Sequence, residues 1–120
     1  MKNESKFYHE IKKNLSEISW IRLENSVLLG VADLLGYNVN CSYFTVELKV
    51  ARGNKVTFSP HQIAFHIRHP KNTFICVKGK GQRSPKLFEG AKVRELSTYG
   101  CRTKSIAEGY DQIKKVLGSL

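Results

Sequence analysis

Gly30-Val31-Ala32-Asp33-Leu34-Leu35 and Tyr43-Phe44-Thr45-Val46-Glu47-Leu48-Lys49-Val50 are the stretches that decide the reading of this chain. Each is an apolar run of the kind that forms a buried strand. Each also carries charge where a core strand should have none. Successive side chains on a strand point to opposite faces, so Glu47 and Lys49 share one face and Leu48 turns to the other, into the core. Charge is costly to bury unless it is paired or binds a metal. Two carboxylates, Asp33 and Glu47, converging with Lys49 on one sheet face suggest a hard-cation site with a cationic helper.

The flanking sequence supplies the rest of an α/β domain. Phe7, Ile11 and Leu15 recur every four residues, widened by Tyr8, and predict a helix over residues 5–15 with Ser5 as N-cap. Glu10 falls at the border of that apolar stripe. It can look into the domain, or it can be a solvated glutamate beside Lys13 and Asn14. Residues 20–24 alternate as a strand does, with Trp20 as core and Asn25-Ser26 as a turn. A second strand is expected over 32–37, a turn at 38–40, and a third strand over 43–51. Their short links predict an antiparallel meander. Arg52-Gly53-Asn54-Lys55 reads as a basic turn.

Ser59-Pro60-His61-Gln62 places serine at the N-cap, proline at N1 and glutamine at N3, which is a strong helix start. That helix should run to Arg68 and stop before Pro70, with Ile63, Ala64 and Ile67 facing the sheet. Residues 73–77 form a fourth strand. If it lies parallel to the third, the helix between them is a crossover. Lys78-Gly79-Lys80-Gly81-Gln82-Arg83-Ser84-Pro85 is a glycine-rich basic loop without the Walker spacing. Residues 86–96 suggest a short strand and a turn of helix. Ile106, Tyr110, Ile113 and Leu117 predict a terminal helix over 105–117.

The composition of the 120 residues fits one domain with a real core. We expect a core over about residues 6–78 and a C-terminal extension over about 79–120. Twenty Lys and Arg against ten Asp and Glu give a formal charge of +10 and a pI near 9.7. Such an excess favours a polyanion such as DNA, although ordinary solvated faces would also explain it. Cys41, Cys76 and Cys101 are odd in number and scattered, which argues against a disulfide framework or zinc ribbon. Cys76 suits a small core position. There is no signal-peptide pattern and no membrane-length apolar run, so a reducing cytosol is expected, the host cytoplasm if the protein is viral. His61, His66 and His69 lack zinc-finger partners and are expected to face solvent or DNA. Tyr37 and Tyr43 suit either the core or a DNA-facing surface.

Taken in order, these motifs resemble the PD-(D/E)xK nuclease superfamily, and within it VRR-NUC domains and phage or archaeal Holliday-junction resolvases. Such domains carry a glycine-led Asp-Leu-Leu strand, matched by Gly30 to Leu35. They also carry a Phe-x-x-Glu-Leu-Lys strand, matched by Phe44 to Lys49, and a Ser-Pro-x-Gln helix start, matched by Ser59 to Gln62. The resemblance covers roughly residues 6–78. It departs at Ala32, where the family usually has proline before the aspartate. It implies a restriction-endonuclease-like α-β-β-β-α-β core with a mixed sheet of about four to five strands.

The resemblance further implies a metal-dependent endodeoxyribonuclease. Asp33, Glu47 and the carbonyl of Leu48 would bind Mg²⁺, with Mn²⁺ able to substitute. Lys49 would position water or neutralise charge. Glu10 would match the helix glutamate that completes such sites. Gln62 would match the supporting glutamine, although the capping box alone also explains a glutamine there. Arg52, Lys55, Lys78, Lys80 and Arg83 would contact DNA by charge and shape. The specific expectation is a phage-type junction-resolving endonuclease acting in DNA recombination. It would work on branched DNA as a homodimer, because a two-fold dimer supplies two symmetric cuts. Its competitors are a restriction-like, homing or nicking endonuclease on the same core, and a non-catalytic nucleic-acid-binding module. A basic RNA-associated protein would explain the charge but not the acid pair.

Overall fold

The computed structural model describes residues 3–23, 30–79, 82 and 84–120. Its first helix, α1, covers Asn3–Asn14 and is followed by β1 (Ser19–Arg22), β2 (Leu34–Tyr37) and β3 (Tyr43–Ala51). Helix α2 (Pro60–Arg68) leads to β4 (Thr73–Gly79) and β5 (Lys86–Glu89). A 3₁₀ turn, Gly90–Lys92, opens α3 (Val93–Tyr99), and a second, Gly100–Arg102, follows it. Strand β6 (Ala107–Glu108) and helix α4 (Tyr110–Gly118) complete the chain.

The strands form one mixed sheet in the order β1-β2-β3-β4-β5-β6. That is six strands, against the four to five expected, because β5 and β6 add to the far edge. The pair β3–β4 is parallel and every other pair is antiparallel. Parallel neighbours need a crossover, and α2 supplies it. The register pairs Glu47 with Ile75, Leu48 with Cys76 and Lys49 with Val77. The meander of the first three strands, the bounds of β3 and the span of α2 match the sequence expectation.

Both faces of the sheet carry a core. On one, Phe7, Ile11 and Leu15 from the α1 region and Ile113 and Leu117 from α4 pack on Phe44, Val46, Leu48 and Cys76. On the other, Ala51, Ile75, Val77 and Phe88 meet Val93 and Leu96 of α3, with Phe58 and Ile63 beside them. Each large apolar side chain buried this way contributes about 1.5–3 kcal/mol. Trp20 is partly buried against the first cluster. Its indole donates to the Leu15 carbonyl at 3.1 Å and its ring meets Phe44 edge-on at 5.7 Å. Cys76 is buried as expected, and none of the three cysteines is bonded to another.

Several local expectations change. Ser5 lies inside α1, where its hydroxyl accepts from the Arg22 guanidinium at 3.0 Å, so it is not the cap. Asp33 sits in a bend just before β2 rather than in the strand. Lys78 and Gly79 are on β4, whose parallel pairing with β3 continues to Ala51 and Gly79, so the basic loop starts later. The terminal helix starts at Tyr110, because residues 107–108 pair with β5 instead. On α2 the buried residue is His66, while Ile67 is 44% exposed. The part of the first strand at Glu24 and the Asn25-Ser26 turn lie outside the described residues. Among the described residues no helix is long and apolar enough to cross a membrane.

A candidate metal and phosphate site under helix α2

The site forms where the β2–β3 ladder runs out. Leu34 pairs with Val46, and one residue earlier the chain bends away from β3. That bend leaves the Leu48 N–H without a backbone partner on this side. The Asp33 carboxylate takes the role, accepting from Leu48 N at 2.7 Å, while the Asp33 carbonyl accepts from Leu23 N at 2.8 Å. Residues of an antiparallel ladder exchange N–H and C=O bonds across the same edge. The Leu48 carbonyl therefore leaves β3 on the side where Asp33 lies. Gly30, at φ +80°, makes this approach possible. A Cβ there would collide with the backbone carbonyl of His61, so only glycine lets the Asp33 segment lie against the start of α2.

Glu47 is on the α2 face of β3 and only 2% exposed. Its Oε2 accepts from the Gln62 amide at 3.3 Å, and its Oε1 has no hydrogen-bond partner among the described residues. Burial, then hydrogen bonding and repulsion with the Asp33 carboxyl, push the Glu47 pKa up to about 9, with Lys49 acting in the opposite sense. At neutral pH the cation-free Glu47 carboxyl thus keeps its proton. A bound cation would replace that proton.

Gln62 organises the site. Its Oε1 accepts from Ser59 N at 3.0 Å and from Lys49 Nζ at 2.9 Å, while its amide nitrogen donates to Glu47. With two donors on one side and a carboxylate on the other, only this amide orientation satisfies every partner. The two readings of Gln62 therefore hold together: it completes the capping box with Ser59, and the same atoms fix Lys49 relative to Glu47. Lys49 also lies 4.9 Å above the Phe58 ring. These ties set the rotation of α2, turning positions 62, 63 and 66 inward and Ile67 outward.

Glu10 is not brought to this site. Its carboxylate bonds Lys78 Nζ at 2.6 Å on the α1 face of the sheet. The acid of α1 that reaches the site's surroundings is Glu4. It lines a cleft of about 440 Å³ with Lys49, Val50, Arg52, Lys55 and Thr57, and its charge helps raise the Glu47 pKa. The sequence held a signal for it. At 100° per residue, Glu4 sits about 20° from the centre of the Phe7-Ile11-Leu15 stripe and Glu10 about 100°.

Of the five basic candidates, Arg52 and Lys55 line the cleft. Lys78 is neutralised by Glu10 on the other face. Lys80 and Arg83 lie outside the described residues. His61 and His69 are exposed as expected, whereas His66 is fully buried with neither ring nitrogen hydrogen-bonded. Burial, then the neighbouring charges of His69 and Lys49, lowers its pKa to about 4, so it is neutral at pH 7.

Among the described residues no cluster of three or more His, Cys, Asp or Glu stands at ligand distance. The protein can offer a cation two carboxylates, one of them buried with a free oxygen, and a carbonyl. That donor set fits Mg²⁺, which keeps several waters and uses few protein oxygens. No family model matches the chain, and no curated protein and no solved structure is detectably similar to it.

Proposed function

We propose that the protein is a Mg²⁺-dependent endonuclease that hydrolyses DNA phosphodiester bonds at Asp33, Glu47 and Lys49. The observation that carries this reading is Glu47: a buried carboxylate with one free oxygen, beside a second carboxylate, within reach of a lysine held in place. A buried acid beside a second carboxylate destabilises a fold unless something positive joins them. The order of motifs along the chain, their resemblance to PD-(D/E)xK nucleases and the +10 charge support the same reading.

Asp33, Glu47 and the Leu48 carbonyl would hold the cation. When bound, Mg²⁺ supplies Lewis-acid polarisation of the phosphate and a water of lowered pKa. Lys49, fixed by Gln62, offers its ammonium protons to the charge that develops on the phosphate. Gln62 keeps the lysine and Glu47 in register without titrating. Arg52 and Lys55, exposed along the cleft beyond Lys49, take phosphates flanking the scissile one. Within this class we propose a structure-specific enzyme acting on four-way junctions as a homodimer, on the strength of the sequence resemblance.

The test is cleavage of a synthetic four-way junction and of linear duplex of the same sequence, with Mg²⁺. Wild-type protein should cut the junction preferentially. Asp33→Asn and Glu47→Gln should abolish cutting yet bind DNA as well or better, since the first removes a negative charge beside a polyanion and the second adds none. Equal cutting of both substrates would sink the junction preference. Tight binding with no cleavage in Mg²⁺ or Mn²⁺ would sink the nuclease reading.

A further inference from the structure

Three clefts form a chain in which each shares lining residues with the next. The first holds Lys49, Arg52 and Lys55. The second, about 350 Å³, holds Arg52 and Lys55 again and Tyr99, with Ser97 and Thr98. The third, about 370 Å³, holds Tyr99 again with Lys92, Arg102 and Lys104. Six cations line the series against two carboxylates, Glu4 and Glu95, and Glu95 is paired with Lys92 at 3.2 Å. The balance is positive along the whole length.

The connection between the clefts is rigid. The turn at Gly53-Asn54 is closed by Arg52 and Lys55, which exchange backbone bonds at 3.0 and 2.9 Å. Asn54 then locks it to the end of α3. Its carbonyl accepts from Cys101 N at 2.9 Å and its side-chain amide donates to the Tyr99 carbonyl at 2.9 Å. Gly100, at φ +63°, lies against Asn54 so closely that any Cβ would collide with the Asn54 carbonyl. The backbones of Arg52, Lys55 and Tyr99 are therefore tied to one another. Tyr99 is 61% exposed midway along a row of cations.

We propose that this series is a binding track for a single strand of nucleic acid, leaving the candidate active site at Lys49 and passing over Tyr99 to Arg102 and Lys104. Its direction rests on the nuclease reading; its chemistry does not. A cationic groove follows the phosphates, and an exposed ring stacks on a base. Paired bases hide their faces in a duplex, so an aromatic platform selects unpaired strand. A four-way junction, whose arms are paired, offers such a strand only where bases open at the branch point, and free single-stranded DNA or RNA shares the same chemistry.

Fluorescence anisotropy of wild-type protein in EDTA, with labelled oligothymidylate, oligouridylate and a duplex, reads the track without any cleavage. Tyr99→Ala should weaken single-strand binding about tenfold, the effect of losing one stacked base, and leave duplex binding nearly unchanged. Tyr99→Phe should bind as wild type, since the ring and not the hydroxyl does the stacking. Replacing Arg102 and Lys104 by alanine should reduce the slope of log affinity against log salt by about 0.7 per lost phosphate contact. The thymidylate and uridylate arms tell DNA from RNA as the strand bound. Wild-type affinity of Tyr99→Ala for single strands, or tighter binding of duplex than of either oligonucleotide, overturns the track and leaves Mg²⁺-dependent cleavage standing. Tyr99-dependent binding without cleavage in Mg²⁺ keeps the track and removes the nuclease.

Discussion

Glu47 and His66 are buried on the α2 side of the sheet and titrate in opposite senses, which makes the stability of the cation-free protein a readout of the site. The Glu47 pKa is raised to about 9. From about pH 4.5 upward the unfolded chain releases this proton while the folded chain keeps it, so stability falls with rising pH until about pH 9. The His66 pKa is lowered to about 4. Between about pH 4 and 6.5 the unfolded chain holds a proton that the folded chain does not, so stability rises with pH across that window. Each slope approaches about 1.4 kcal/mol per pH unit. The two oppose each other up to about pH 6.5, and Glu47 acts above it, joined toward pH 9 by the Cys76 thiol, whose pKa burial pushes up. Thermal melts in EDTA should therefore be nearly flat at mildly acid pH, then decline toward pH 9. Glu47→Gln should remove the decline below about pH 8, where free thiols begin to ionise. His66→Gln should make it begin near pH 4.5. Saturating Mg²⁺ should flatten the alkaline limb, because a cation takes the place of the Glu47 proton. An alkaline limb unchanged by both Mg²⁺ and Glu47→Gln would mean that Glu47 titrates normally and would remove the main support for the site.

At the scale of elements, α2 shows what local sequence reveals and where it stops. Its start and span are written in Ser59, Pro60 and Gln62, since capping acts over three residues. The strand β3 is as legible, because its alternation spans nine residues between a turn and a basic hairpin. The rotation of α2 is not local. Gln62 bonds to Lys49 and Glu47 across the fold, and this turns His66 inward where apolar spacing favours Ile67. The late start of α4 has the same origin, because residues 107–108 are claimed by β5. Glu10 is equally non-local: it lies at the border of the apolar stripe, and Lys78, which holds it on the α1 face, lies 68 residues on. The double role of Gln62 gives a prediction at this scale. Gln62→Ala should lose about 1 kcal/mol of stability in denaturant titrations, through the cap. It should also slow Mg²⁺-dependent cleavage, on the order of ten- to a hundredfold, through Lys49. A stability loss with unchanged cleavage would reduce Gln62 to a cap.

Across the whole molecule, the motifs end near Val77, yet the fold does not. Strand β4 has both faces buried over Thr73–Val77 and pairs on its far edge with β5. Leu87, Ile113 and Leu117 belong to the core on the α1 side, and Phe88, Val93 and Leu96 to the core on the α2 side. Six large apolar side chains at about 1.5–3 kcal/mol each amount to roughly 9–18 kcal/mol of burial. That matches or exceeds the whole net stability of a typical domain, about 5–15 kcal/mol. The C-terminal third is thus as necessary to the fold as the motif-bearing part, though it carries none of the motifs. Its sequence hid this because β5 and β6 are short and their pairing is set by strands already in place. A chain stopped after Gly79 keeps Asp33, Glu47, Lys49 and Gln62 but strips Phe74 to Val77 of part of their cover on both faces and of their partner strand along one edge. It should show no cooperative melt by circular dichroism and no saturable Mg²⁺ effect on its stability. A cooperative, Mg²⁺-sensitive transition in that fragment would show that the site needs only the first six elements, and that β5, β6 and the last two helices decorate a core able to stand without them.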